Sequence, residues 1–304
     1  MQSLGVGTLP SLRLLHFVRN DGASYSDMKI IETITEMKKV RRALKEPVGF
    51  VPTMGYLHEG HISLVRQAKA ENKSVVVSIF VNPTQFGARE DLSSYPRDLK
   101  RDLAMLEKAG TDVVFVPKDG EMYPSGYDTW VDVDKLTKRL EGASRPTHFR
   151  GVTTVVAKLF NIVEANNAYF GQKDAQQALV IQKMAKDLNM NVRVVVCATV
   201  REPDGLAMSS RNVYLTPEQR KQATVLYRSL LLAKDLYAKD ERNAVKIRQQ
   251  MTALIQKEPL AVIDYISIAN EQTLEELEMI QDKALVSMVV KFGNTRLLDN
   301  IRLS

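Results

Sequence analysis

From residue 29 to residue 200 the chain alternates short apolar runs rich in β-branched residues with longer segments whose apolar positions recur every three or four residues. The short runs have the character of buried strands, and the longer ones that of helices with a single stripe to bury. Strand and helix in regular alternation is the mark of βαβ units. Their crossover helices make the strands parallel and cover both sheet faces. This reading predicts strands over 48–51, 75–81, 113–116, 168–170 and 192–200, and helices over 61–71, 99–108, 152–163 and 175–188. The first half is therefore expected to be α/β with a parallel sheet.

After Glu202 the alternation stops: helical segments at 217–239 and 243–257 come first, then strand-like runs at 263–268, 285–290 and 296–298. Helices segregated from strands predict a smaller α+β unit. A chain of 304 residues is long enough to bury two cores. We place the boundary between 199 and 200, giving domains 28–199 and 200–304. Residues 1–27 stand apart, because Gly5, Gly7, Pro10 and Gly22 interrupt them and no acidic residue precedes Asp21. They read as an atypical, disordered N-terminal extension; a start assigned too far upstream and an organelle-targeting segment are the other readings.

The net charge of +6 and a pI near 9.2 admit nucleic acid, but they suit triphosphate and carboxylate substrates equally. Position decides between them. The basic residues are dispersed, and patches such as Lys38-Lys39-Val40-Arg41-Arg42 fall on an amphipathic helix, where they form a solvated face. No nucleic-acid partner is expected. Nor is a membrane partner, since no apolar stretch approaches the roughly 18 residues of a span. The single cysteine, Cys197, has no partner for an intramolecular bridge, which suits a reducing compartment. Within its apolar run it reads as a buried structural thiol rather than a nucleophile.

The segment from Val48 to His61 runs from a strand through a turn into a helix and places His61 at the helix start. Free backbone N–H groups and the positive end of the helix dipole favour an anion there, and Gly60 lets the backbone approach it closely. His58 and His61 add side-chain donors. The helix end lowers a histidine pKa while a bound triphosphate raises it, so the net shift stays open. Zinc is the competing reading, but its helical motif separates the two histidines by four residues; here the separation is three, with a glycine between. Gly171-Gln172-Lys173-Asp174 repeats the strand-to-helix arrangement, although spacing alone reads it as a solvated helix start. Met208-Ser209-Ser210-Arg211, behind the Asp204-Gly205 turn, reads on the same terms as a polar interdomain loop.

Five ordered blocks carry a family resemblance. Pro52-Thr-Met-Gly-Tyr-Leu-His-Glu-Gly-His61 resembles the first signature of the pantothenate synthetases, a variant of the His-x-Gly-His motif of the nucleotidylyltransferase and class I aminoacyl-tRNA synthetase superfamily. The likeness continues through Val77-Ser-Ile-Phe-Val-Asn-Pro-Thr-Gln-Phe86, Leu140-Glu-Gly-Ala-Ser-Arg-Pro-Thr-His-Phe149, Phe170-Gly-Gln-Lys-Asp-Ala-Gln-Gln177 and Asp204-Gly-Leu-Ala-Met-Ser-Ser-Arg-Asn212.

The resemblance implies a Rossmann-like nucleotidylyltransferase domain with a C-terminal lid. It implies an AMP-forming ligase that activates pantoate as an adenylate and passes it to β-alanine. ATP would meet Met54, Gly55, Tyr56, Leu57, His58, Glu59, Gly60 and His61, with His61 the usual proton donor. It would also meet Gly171, Gln172, Lys173 and Asp174, the backbone of Val200, and the loop of Met208, Ser209, Ser210 and Arg211. His58, His61, Lys173 and Arg211 are the expected catalytic group. Gln85 and Gln177 would hold pantoate in a pocket formed partly by Met54 and Phe86, with Gln176 a lesser partner; Tyr95, Arg145 and His148 have less definite roles. Mg2+ is expected with ATP, with Asp102 as its candidate carboxylate. The family also implies a cytoplasmic homodimer. Another nucleotidylyltransferase of the same fold, or a basic RNA-binding synthetase-like module, is the alternative.

Overall fold

The computed structural model describes residues 28–87 and 90–304, so the expected N-terminal extension at 1–27 lies outside the described residues. In chain order the first domain contains β1 (Lys29–Ile31), α1 (Ile34–Arg41), β2 (Val48–Thr53), α2 (Glu59–Glu71), β3 (Ser74–Ile79), α3 (Leu99–Lys108) and β4 (Val113–Phe115). Two one-turn helices follow, α4 (Asp119–Met122) and α5 (Glu141–Ser144), then α6 (His148–Val163), β5 (Asn167–Gly171), α7 (Ala175–Asp187) and β6 (Arg193–Cys197).

The six strands are all parallel, in the order β1-β4-β3-β2-β5-β6. Every residue of β3 is buried, as expected of a central strand covered on both faces. One core lies under α1, α6 and α7, where Phe50, Val76, Phe115, Phe160 and Ile181 meet. The other lies under α2 and α3 around Val51, Leu57, Val65, Val77 and Leu106. β2 leads outward to β3 and β4, whereas β5 and β6 lie on its other side, so the winding reverses between β2 and β5. In open parallel sheets ligands bind in the crevice that opens at the carboxyl ends of such a strand pair.

The second domain contains α8 (Pro217–Gln222), α9 (Val225–Ala238) and α10 (Ala244–Ile255) over an antiparallel sheet of β7 (Ala261–Ala269), β8 (Ala284–Phe292) and β9 (Thr295–Leu303). Its core is separate, built from residues such as Leu230, Met251, Val286, Met288 and Phe292.

Several predicted boundaries are corrected. The strand expected over 192–200 ends at Cys197, because Ala198, Thr199 and Val200 leave the sheet to line the interdomain cavity. The helix expected over 217–239 is two helices, broken where Leu226 N–H bonds the Ala223 carbonyl in a tight three-residue turn. β1 was missed because three residues show no period. β9 runs well past the expected 296–298, since Asp299 and Asn300 interrupt its apolar pattern. Cys197 is half-buried rather than fully buried, and burial raises its thiol pKa, in keeping with an unreactive side chain.

Candidate active site

A cavity of about 1080 Å³ lies between the two domains, above the point where the winding reverses. It is lined by the loop after β2, the loop after β5, the 198–212 segment, and side chains of β8 and β9. Met54, His58, Gly60 and His61 face it, as do Gly171, Lys173 and Asp174. Val200, Met208, Ser209, Ser210 and Arg211 complete that wall. Three segments that the sequence left apart are thus brought together.

α2 begins at Glu59, two residues earlier than expected, and His58 is its N-cap. His58 Nδ1 accepts the Gly60 N–H at 3.1 Å, and His61 Nδ1 accepts the His58 N–H at 3.3 Å. A ring nitrogen that accepts carries no proton, so each imidazole keeps its proton on Nε2. The sign left open by the sequence is resolved for the protein alone. Burial first, then Lys173 and Arg101 against the opposing Asp174, hold His58 down at about 4; burial, His58 and Lys173 hold His61 well below its ordinary value. Both are neutral Nε2–H donors at pH 7. Their rings lie 4.1 Å apart between centroids, a separation two imidazolium ions would resist. Gly60 is required here for space, since a Cβ would stand 2.9 Å from the His58 ring.

The turn before these histidines has positive φ at Gly55 (80°) and Tyr56 (48°). For tyrosine that conformation needs support. Asp102 of α3 provides it: its two oxygens accept the N–H groups of Tyr56 and Leu57, each at 2.7 Å. At 1% exposure the carboxylate is enclosed behind the loop and does not line the cavity. Both oxygens of Asp102, the expected magnesium carboxylate, are thus engaged in anchoring the turn. Gly55, Tyr56, Leu57 and Glu59 likewise do not line the cavity. Leu57 is in the core, Tyr56 carries the Arg101 guanidinium over its ring at 5.1 Å, and Glu59 pairs with Arg66. Among the described residues no group of three or more His, Cys, Asp or Glu could hold a metal ion.

Lys173 Nζ is 3.6 Å from Asp174, whereas Gln172 does not line the cavity and donates its Nε2–H to Asn300 Oδ1 at 2.9 Å. Arg211 is held by a partner the sequence did not reveal: its Nε and Nη2 each meet an oxygen of Asp91 at 3.0 Å. Ser210 Oγ donates to the Tyr56 carbonyl at 3.2 Å, joining the 208–211 loop to the histidine turn. Met208 N–H bonds the Val200 carbonyl, which leaves the Val200 N–H as that residue's remaining backbone group.

Gln85 is buried, donates to the Met54 sulfur at 3.0 Å and accepts from Asn82 at 3.1 Å. Gln177 faces the same cavity. Gln176 also lines it, with its amide fixed by backbone groups of Glu141, Leu136 and Arg139. Arg145 pairs with Glu90. His148 donates Nδ1–H to the Gln85 carbonyl at 2.9 Å, and burial holds it near a pKa of about 4. Tyr95 is buried edge-on against Phe86.

A parallel α/β sheet with a histidine-capped helix at the reversal point and a second, cation-bearing loop beside it is an arrangement suited to an enzyme that binds a phosphorylated nucleotide. The sequence profile described as Pantoate-beta-alanine ligase matches residues 29–302. The chain belongs to the pantoate-β-alanine ligase family, and it catalyses the ATP-dependent ligation of pantoate to β-alanine. Pantothenate synthetase of Acetivibrio thermocellus is 58% identical over 277 residues, covering 90% of this chain and 99% of that protein. The enzyme of that name from Roseiflexus castenholzii is 59% identical over 273 residues, covering 90% and 98%. The crystal structure of pantothenate synthetase from Thermus thermophilus superposes with a TM-score of 0.87 at 48% identity, over 90% of this chain and 99% of that one. That of pantoate-beta-alanine ligase from Francisella tularensis, complexed with beta-gamma ATP and beta-alanine, does so at 0.75 and 36%, over 90% and 97%.

Proposed function

We propose that the cavity carries the ligation through an enzyme-bound pantoyl adenylate, with ATP across the loops after β2 and β5 and pantoate between Gln85 and Gln177. The observation that carries this reading is the pair of neutral imidazoles, His58 and His61, each keeping a proton on Nε2 at the wall of the cavity. In the first step a pantoate carboxylate oxygen bonds to the α-phosphorus while the bond to the bridging oxygen breaks, and that oxygen's electron pair leaves with pyrophosphate. The charge that collects on the departing group requires donors already in place. His58, His61 and Lys173 supply them, and Arg211, whose Nε and Nη2 grip Asp91, adds its positive charge and the outer N–H groups of its guanidinium from the 208–211 loop.

In the second step the β-alanine amine adds to the activated carbonyl, the carbon–oxygen bond to AMP breaks, and the nitrogen loses a proton. His148 has an acceptor for that proton: Nδ1–H is committed to the Gln85 carbonyl, so Nε2 of the neutral ring keeps its lone pair. AMP is the leaving group that activates the acyl carbon, so the route uses no protein nucleophile. Magnesium would enter on the ATP phosphates, since the described residues form no dedicated cage and Asp102 is committed to the turn.

We also place the chain in the cytoplasm, on the strength of its unpaired cysteine, as a homodimer that binds no nucleic acid. No helix among the described residues is long and apolar enough to cross a membrane. β6 supports the dimer, because it is an edge strand whose Val194, Val195 and Val196 are only half-buried. Light scattering after size-exclusion chromatography gives the subunit count, and a monomeric mass would refute the dimer. The adenylate is tested by pantoate-dependent exchange of labelled pyrophosphate into ATP without β-alanine. Exchange is expected, and its absence from folded enzyme would sink the mechanism.

A further inference from the structure

β9 places two polar residues side by side where its neighbours are largely apolar. Asn300 is 2% exposed, and its Nδ2 donates to the carbonyls of Gln172 and Lys173 at 3.0 and 2.7 Å, while its Oδ1 accepts Gln172 Nε2 at 2.9 Å. Its amide is therefore committed to the loop after β5. Asp299 is 1% exposed and grips Arg201 through both oxygens, at 2.6 and 3.0 Å. Arg201 Nη1 continues to the Gly205 carbonyl at 3.1 Å, and the guanidinium lies 4.1 Å over the Tyr227 ring. That arm holds the turn leading into Met208–Arg211.

Consecutive side chains of a strand point to opposite faces. β9 therefore stands between the two loops, holding one from each side, and the strand belongs to the domain that contributes nothing to the parallel sheet. A purely structural polar pair would be satisfied within its own sheet. These two reach instead into the backbone segments that carry Lys173 and Arg211.

We propose that Asp299 and Asn300 are positioning residues for ATP, setting the distance between the Lys173 loop and the Arg211 loop so that the C-terminal domain controls triphosphate capture. This rests on the reading of those loops as the ATP site. It requires that breaking either arm weaken ATP selectively, with pantoate, held by Gln85 and Gln177, left alone.

The test is the pantoate-dependent pyrophosphate exchange assay on Asn300→Ala, Arg201→Gln and Lys173→Ala, with KM for ATP and for pantoate measured separately. For Asn300→Ala the KM for ATP should rise by about tenfold to hundredfold, the scale of a misplaced group at a reacting centre, with the pantoate KM within about twofold. Arg201→Gln breaks the other arm and should show the same split; it also carries the test should Asn300→Ala fail to fold. If Lys173→Ala impairs ATP use while both arm variants keep the parental ATP KM, the positioning role is overturned and the ATP site stands. Equal rises in both KM values, the mark of general loosening, overturn it as well. If Lys173→Ala leaves ATP use unchanged, the site reading itself fails and takes this proposal with it.

Discussion

The guanidinium of Arg211 lies flat against the carboxylate of Asp91, with two parallel contacts of 3.0 Å. Asp91 raises the Arg211 pKa against the opposing pull of burial, so the arginine remains charged at any working pH. The pair fixes the cation of the 208–211 loop from a segment 120 residues earlier in the chain. Lysine cannot make a two-pronged contact, so Arg211→Lys should lower the pyrophosphate exchange rate about tenfold even though the charge is kept. If Asp91 acts by orienting Arg211, Asp91→Asn should lose activity in the same direction, and the double variant should lose less than the sum. A cycle of the two single and one double variants should give a coupling of about 1 kcal/mol or more. Strict additivity would show that Asp91 does not act through Arg211.

Gly60→Ala should damage the site with little cost elsewhere. The added methyl would stand 2.9 Å from two atoms of the His58 ring, and the ring would have to swing out of its cap. The Nδ1 contact to the Gly60 N–H would go with it, releasing the tautomer that points Nε2–H outward. His61→Ala removes a donor outright and should slow exchange by about 10²-fold or more, on the scale of a lost oxyanion-type donor. Gly60→Ala should lie between this variant and the parent. Parental rates in His61→Ala would return that histidine to a structural role.

The histidines also set a pH dependence of stability. In the folded chain His58 and His148 titrate at about 4, each lowered chiefly by burial, whereas in the unfolded chain they titrate near 6.5. As pH falls through about 6.5 the unfolded state takes up protons that the folded state refuses. Stability is thus fully present above about 6.5 and is lost progressively down to about 4. Ordinary carboxylates hardly titrate between pH 6.5 and 5, so a falling thermal midpoint in that window reports the histidines. His148→Gln keeps an amide donor for the Gln85 carbonyl without a titrating group, and it should flatten the slope. A slope unchanged in that variant would remove His148 from the account.

The sequence made the parallel sheet legible because βαβ periodicity is local, and it made the His58–His61 candidate anion site legible because that site joins a strand to a helix within a few residues; Gly171–Asp174 has the same junction, but its spacing alone reads as a solvated helix start. What it concealed is the wiring between distant segments. Nothing near Asp91 announces Arg211, and nothing near Asp299 announces Arg201; such pairs exist only once the winding has brought the segments together. The same polarity hid the length of β9. The role of Asp102 was concealed for a related reason. The resemblance suggested a magnesium carboxylate, whereas the left-handed Tyr56 that it stabilises is invisible without the backbone.

The anchoring of the turn by Asp102 yields a discriminating variant. Asn is nearly isosteric with Asp, but an amide has one acceptor oxygen and one donor nitrogen. In Asp102→Asn one of the two N–H groups, on Tyr56 or Leu57, would face an NH2 group and lose its acceptor. An unsatisfied buried donor costs about 1–3 kcal/mol, so the thermal midpoint should fall. With the turn loosened, His58 and His61 should be less well placed and the KM for ATP should rise. The concentration of magnesium needed for half-maximal exchange should stay the same, because the carboxylate serves the turn. A magnesium requirement raised tenfold, with an unchanged midpoint, would restore Asp102 as a metal ligand.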